Sequence, residues 1–73
     1  MSLEQTIALL SKGEVKQALV IMKKDAEDFK DKSAIQFYKA FAQILHPNSP
    51  HKENFKDIAK IYYELLLLPY RNF

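Results

Sequence analysis

Phe37-Tyr38-Lys39-Ala40-Phe41-Ala42-Gln43-Ile44-Leu45 is apolar at every position except Lys39 and Gln43. Wound at about 100° per residue, Ala34, Tyr38, Phe41 and Leu45 share one face, and Phe37, Ala40 and Ile44 share the face beside it. A helix that is apolar over most of its circumference needs cover on several sides, so this stretch is expected to be the central, most enclosed helix. The expected class is all-α: four helices, arranged as two antiparallel helical hairpins around that central buried helix.

On the N-terminal side, Ser2 and Gln5 have the spacing of a capping box, and Leu3, Ile7 and Leu10 then fall on one side of a first helix. Gly13, the single glycine, ends it. A second helix is expected over Glu14–Phe29, where Val15, Ala18, Leu19, Met22, Ala26 and Phe29 keep a helical period and Val20 falls far from it. Lys30-Asp31-Lys32 is a polar break, and Ser33 with Gln36 forms a second capping box that opens the central helix, Ser33–Leu45. Pro47 disfavours helical backbone at His46. Ser49 then has the chemistry of an N-cap, with Pro50 at the first helical position. The last helix, Pro50–Leu68, carries Phe55, Ile58, Ala59, Tyr62, Leu65 and Leu66 on one face and is stopped by Pro69.

Seventy-three residues make one domain, 1–73. With no cysteine there is neither a disulfide framework nor a thiolate zinc site. Eleven Lys/Arg against nine Asp/Glu give a net charge of +2, too balanced for a nucleic-acid-binding face, and Arg71 is the only arginine. No run approaches the roughly eighteen apolar residues of a membrane span, and no basic-then-apolar leader is visible, so a cytoplasmic protein is expected.

No catalytic, cofactor-binding or metal constellation is expected. His46 and His51, with Glu53 nearby, are separated by two prolines and do not share a helical face. Asp25, Glu27, Asp28 and Asp31 are interspersed with Lys23, Lys24, Lys30 and Lys32 and read as a solvated helix end, with no nucleophile beside a base. Lys52, Lys56 and Lys60 are offset by Glu53, Asp57 and Glu64.

The functional signal is surplus apolar residues near the C-terminus. In Ile61–Phe73, IYYELLLLPYRNF, the core-facing stripe uses Tyr62, Leu65 and Leu66. Ile61, Tyr63, Leu67 and Leu68 point elsewhere, and Tyr70, Arg71 and Phe73 add the aromatics and arginine typical of contact hot spots. These seven are the expected partner-binding residues. The expected function is a non-enzymatic protein–protein interaction module, adaptor-like or chaperone-like, whose partner is a second copy (a homo-oligomer) or a helix of another protein. A small helical inhibitor of the immunity or antitoxin type is an alternative that size and helicity fit.

Two resemblances accompany this reading. Leu3, Ile7 and Leu10 match Phe37, Phe41 and Ile44 at an offset of 34, and Val15, Ala18, Leu19, Met22 and Ala26 match Phe55, Ile58, Ala59, Tyr62 and Leu66 at an offset of 40. With Gly13 and Ala18 spaced as GxxxxA, most of the chain resembles tetratricopeptide hairpins, although the tryptophan and the leucine-glycine pair of that family are missing. That resemblance implies a scaffold for a partner helix or peptide. Residues 34–73 resemble the second and third helices of a J domain: Tyr38 eight residues before His46-Pro47, then Phe55, Ile58 and Tyr62, then Pro69 and Arg71. Asn48 stands where that family has the aspartate of its Hsp70-stimulating tripeptide, so the resemblance implies a degenerate J-like co-chaperone relative with stimulation lost.

Overall fold

A computed structural model describes residues 2–29 and 31–67. Four α-helices run in order: α1, Leu3–Ser11; α2, Val15–Asp28; α3, Lys32–Ile44; and α4, Phe55–Leu66, with a 3-10 turn at Lys52–Asn54 leading into the last. There is no strand among the described residues. α1 packs on α2, α2 on α3, α3 on α4, and α4 returns to α1. The four therefore close into a ring, with α2 facing α4 across the core. Three-residue links make α1 and α2, and α2 and α3, antiparallel neighbours; ten residues, including the 3-10 turn, join α3 to α4.

The α1–α2 turn follows from Gly13. Its φ of +80° lies in the left-handed region. That conformation lets the Gly13 N–H reach the Leu10 carbonyl at 3.1 Å and the Glu14 N–H reach the Leu9 carbonyl at 2.9 Å, the paired bonds of a Schellman ending. A Cβ at Gly13 would meet nothing within 4 Å, so the requirement is conformational rather than steric.

None of the three expected side-chain caps forms as expected. Ser2 is at the N-cap of α1 but makes no side-chain cap bond. At α3 the cap is Asp31, whose carboxylate accepts the Ser33 N–H at 2.8 Å, so the polar break itself begins the helix and Ser33 lies inside it. The fourth helix also starts later than Pro50. His46 to Ser49 forms a turn, the Ser49 N–H reaching the His46 carbonyl at 2.9 Å, and the Ser49 hydroxyl accepts the His51 N–H at 3.1 Å. Regular α-helix then begins at Phe55.

The most enclosed helix is α4, not α3. α4 buries Phe55, Ala59, Tyr62, Tyr63 and Leu66, whereas within α3 only Ala34 is fully buried. Phe37, Tyr38 and Phe41 are half-buried against the core, and Ala40 and Ile44 lie exposed. α2 contributes Val15, Ala18, Met22 and Ala26 from the opposite side, three turns of small and flexible side chains that let the α4 tyrosines come close. Tyr62 is the clearest case. Its ring is wholly buried, lies 5.4 Å from the Phe41 ring and 5.1 Å from the Tyr63 ring, and its hydroxyl donates to the Met22 carbonyl at 2.9 Å. A buried phenol needs a partner for its O–H, and α2 supplies one across the bundle.

Candidate functional site

Of the seven residues expected to meet a partner, three fall within the described chain and four, Leu68, Tyr70, Arg71 and Phe73, lie outside it. Ile61 is 50% exposed and Leu67 is 41% exposed. These two are on different sides of α4, because a spacing of six residues turns a helix well away from its starting face. Ile61 stands at i+3 from Ile58 and i−4 from Leu65 along the helix. Leu67 lies just past the end of α4 and lines a shallow cleft with Leu66, Asp25, Asp28 and Phe29, where the last turns of α2 and α4 meet.

Tyr63 belongs elsewhere. It is 1% exposed, so it presents nothing to a partner. Its hydroxyl donates to the Asp25 carboxylate at 2.6 Å and lies 3.1 Å from the hydroxyl of Thr6, itself completely buried. Since the single phenol proton goes to Asp25, Thr6 is the donor in the second bond, and the order is Thr6 to Tyr63 to Asp25. That relay ties α1, α4 and α2 together at one point. Burial pushes the Tyr63 phenol well above its ordinary pKa, and the hydrogen bond to Asp25 pushes it further. Tyr62 is raised in the same way, by burial first and then by the negative charge of Asp25.

The relay makes a double-mutant prediction. Tyr63→Phe leaves the Thr6 hydroxyl buried without its phenol partner and should cost about 1–3 kcal/mol. Adding Thr6→Val removes the orphaned group as well, and the pair should cost clearly less than the sum of the two single changes. Urea titration of the four proteins measures the coupling; additive losses would show that the hydroxyls do not interact.

The chemistry-bearing residues elsewhere remain dispersed. His46 and His51 are both exposed, and the His46 Nδ1 is engaged as acceptor for the Asn48 N–H at 3.1 Å. Among the described residues no three His, Cys, Asp or Glu side chains come together in a way that could hold a metal ion. No helix among them is long and apolar enough to cross a membrane. The tripeptide His46-Pro47-Asn48 occupies the turn between α3 and α4, with His46 and Asn48 open to solvent.

Compared with known proteins, the chain matches no family model, no curated sequence and no solved structure.

Tyr63 was the residue least accessible to sequence reasoning. Its partners are 57 and 38 positions away, and no local pattern links them. The one available signal was a threonine inside an otherwise apolar stripe, Leu3-Thr6-Ile7-Leu10, which asks for a buried polar partner.

Proposed function

We propose that this chain is a non-enzymatic protein–protein interaction module that engages its partner through the outward side of α4 and the segment that follows it. The observation that carries the reading is Ile61, half-exposed in the middle of the helix that buries more core residues than any other. The inward face of α4 is filled by Phe55, Ala59, Tyr62, Tyr63 and Leu66, which leaves Ile61 available on the outer side as an apolar contact for a partner. Leu67 adds a second exposed apolar residue in the cleft where α2 and α4 end, and the sequence beyond it, Leu68-Pro69-Tyr70-Arg71-Asn72-Phe73, supplies aromatic and guanidinium groups of the kind that anchor interfaces.

Immobilised wild-type chain, Ile61→Glu and Leu67→Glu provide the test, using lysate of the native host. Both positions are exposed enough for the variants to keep their helicity, which circular dichroism checks directly. The expected result is a saturable protein partner held by the wild type and lost, by tenfold or more in retained amount, from one or both variants. Equal retention by all three would place any contact on another surface and refute the reading.

A further inference from the structure

The two most exposed large apolar side chains among the described residues are Val20, at 67%, and Ile61, at 50%. Their settings correspond at two flanking positions, four residues before and three after, with opposite charge. Val20 has Lys16 four residues before it and Lys23 three residues after it; Ile61 has Asp57 four before and Glu64 three after. Residues at these spacings lie on one strip of a helix, one above the other. All four flanking charges are exposed. So α2 presents a valine between two lysines, and α4 presents an isoleucine between two carboxylates, in the same geometry and with opposite sign.

The two strips cannot meet within one molecule. α2 and α4 face each other across the core, held there by the Tyr62 hydroxyl on the Met22 carbonyl, so their outward sides look in opposite directions. The geometry points to a second copy of this chain as the occupant: the α4 strip of one molecule docks on the α2 strip of another, with Ile61 against Val20, and Lys16 and Lys23 paired with Asp57 and Glu64. In parallel register Lys16 meets Asp57 and Lys23 meets Glu64; antiparallel register exchanges the partners. Lys24 adds a third positive charge beside the α2 strip. Lys60 lies three residues after Asp57 and four before Glu64, and Glu27 lies four after Lys23, so each competes within its own helix for a charge of the strip.

Because donor and acceptor surfaces differ, the contact is heterologous, and because they lie on opposite sides, each molecule can engage two neighbours. The assembly grows head to tail rather than closing as a two-fold dimer. Helix-on-helix docking over about two turns buries less than a standard interface of roughly 800 Å² per partner, so the contact is of the weak, reversible class. Charge pairs at its rim make it sensitive to salt.

This inference rests on the reading of α4 as a contact surface and adds the surface that it meets. Sedimentation equilibrium up to about millimolar concentration tests it. For the wild type the average mass should climb above 8.5 kDa with concentration at low salt and fall back toward it at high salt. Lys16→Glu with Lys23→Glu makes both strips acidic; Asp57→Lys with Glu64→Lys makes both basic. Each variant alone should stay at monomer mass, and an equimolar mixture of the two should associate at least tenfold more strongly than either, since every docking surface again meets its opposite. A wild type that stays monomeric throughout, or a mixture no more associated than its components, overturns the self-docking. If in that case Ile61→Glu still loses a protein captured by the wild type, only the choice of partner is wrong and the α4 surface stands. If neither assay responds to Ile61, both ideas fall.

Discussion

Tyr62→Ala is expected to leave the chain largely unfolded at 25 °C. The side chain is the largest among the wholly buried ones, and it is a joint between three helices: its ring meets Phe41 of α3, and its hydroxyl holds the Met22 carbonyl of α2. Truncating a buried aromatic residue to alanine costs about 3–5 kcal/mol through lost burial and the cavity left behind. A domain of 73 residues has a total stability of about 4–11 kcal/mol, and small scaffolds without disulfides or metal sit toward the lower end. The loss is thus comparable to the whole. Thermal melting followed by circular dichroism should show a cooperative transition for the wild type and none, or one displaced by tens of degrees, for the variant. Phe41→Ala, at a half-buried position, should cost about 2 kcal/mol and leave the fold intact. A larger loss from Phe41→Ala than from Tyr62→Ala would make α3 the enclosed helix after all.

That ranking reverses the one that apolar content alone suggests, and the reason is geometric. FYKAFAQIL is apolar around most of its circumference, yet among the described residues α3 packs chiefly on α2 and α4, and Ala40 and Ile44 are exposed. Apolar width measures how much of a helix could be covered, not how much is covered. α4 also has two packed helical neighbours, α1 and α3, but it points its bulkiest residues at the alanines and Met22 of α2 and so fills the centre. The helices themselves were legible, because each depends on period and punctuation within a few residues. Gly13 closes α1 as its chemistry requires, and α2 and α3 fall within one residue of the expected limits at each end. The caps were less legible. Asp31 and Ser33 are both competent N-caps two positions apart, and only the backbone path decides between them. At the fourth helix, Ser49-Pro50 gave a valid start signal that the chain uses for a turn and a 3-10 segment instead.

The candidate surface was legible in part, for a related reason. A stripe drawn through Tyr62, Leu65 and Leu66 excludes Tyr63, but the core of α4 is wider than one stripe on the side that meets α1. Ile61 lies beyond the opposite edge and stays outside. Distinguishing the two requires knowing which neighbour stands on which side, and that is tertiary information. Val20 was visible from the outset as an apolar residue off the α2 stripe, but its meaning depends on the lysines around it and on the carboxylates around Ile61.

The second large expected effect is alkaline unfolding. Tyr62 and Tyr63 both hold their protons in the folded state far above the ordinary phenol value near 10, because ionisation would place a phenolate in the core beside the Asp25 carboxylate. The sign is fixed by which state binds more protons. Below about pH 10 both states keep them, and the stabilisation is complete. Above it the unfolded chain gives up two protons that the folded chain retains, so stability falls as pH rises toward the folded-state values. Two phenols together give a slope of about −2.7 kcal/mol per pH unit, so one and a half units beyond 10 removes about 4 kcal/mol. Helicity should therefore collapse cooperatively near about pH 11.5, together with a step in phenolate absorbance as the two buried rings are released. Tyr62→Phe combined with Tyr63→Phe removes both protons from the balance, at a cost in stability at neutral pH that urea titration fixes separately. In that variant the stability measured from pH 9 to 11 should lose most of its slope. A slope as steep as the wild type's would assign the alkaline transition to groups other than these two tyrosines.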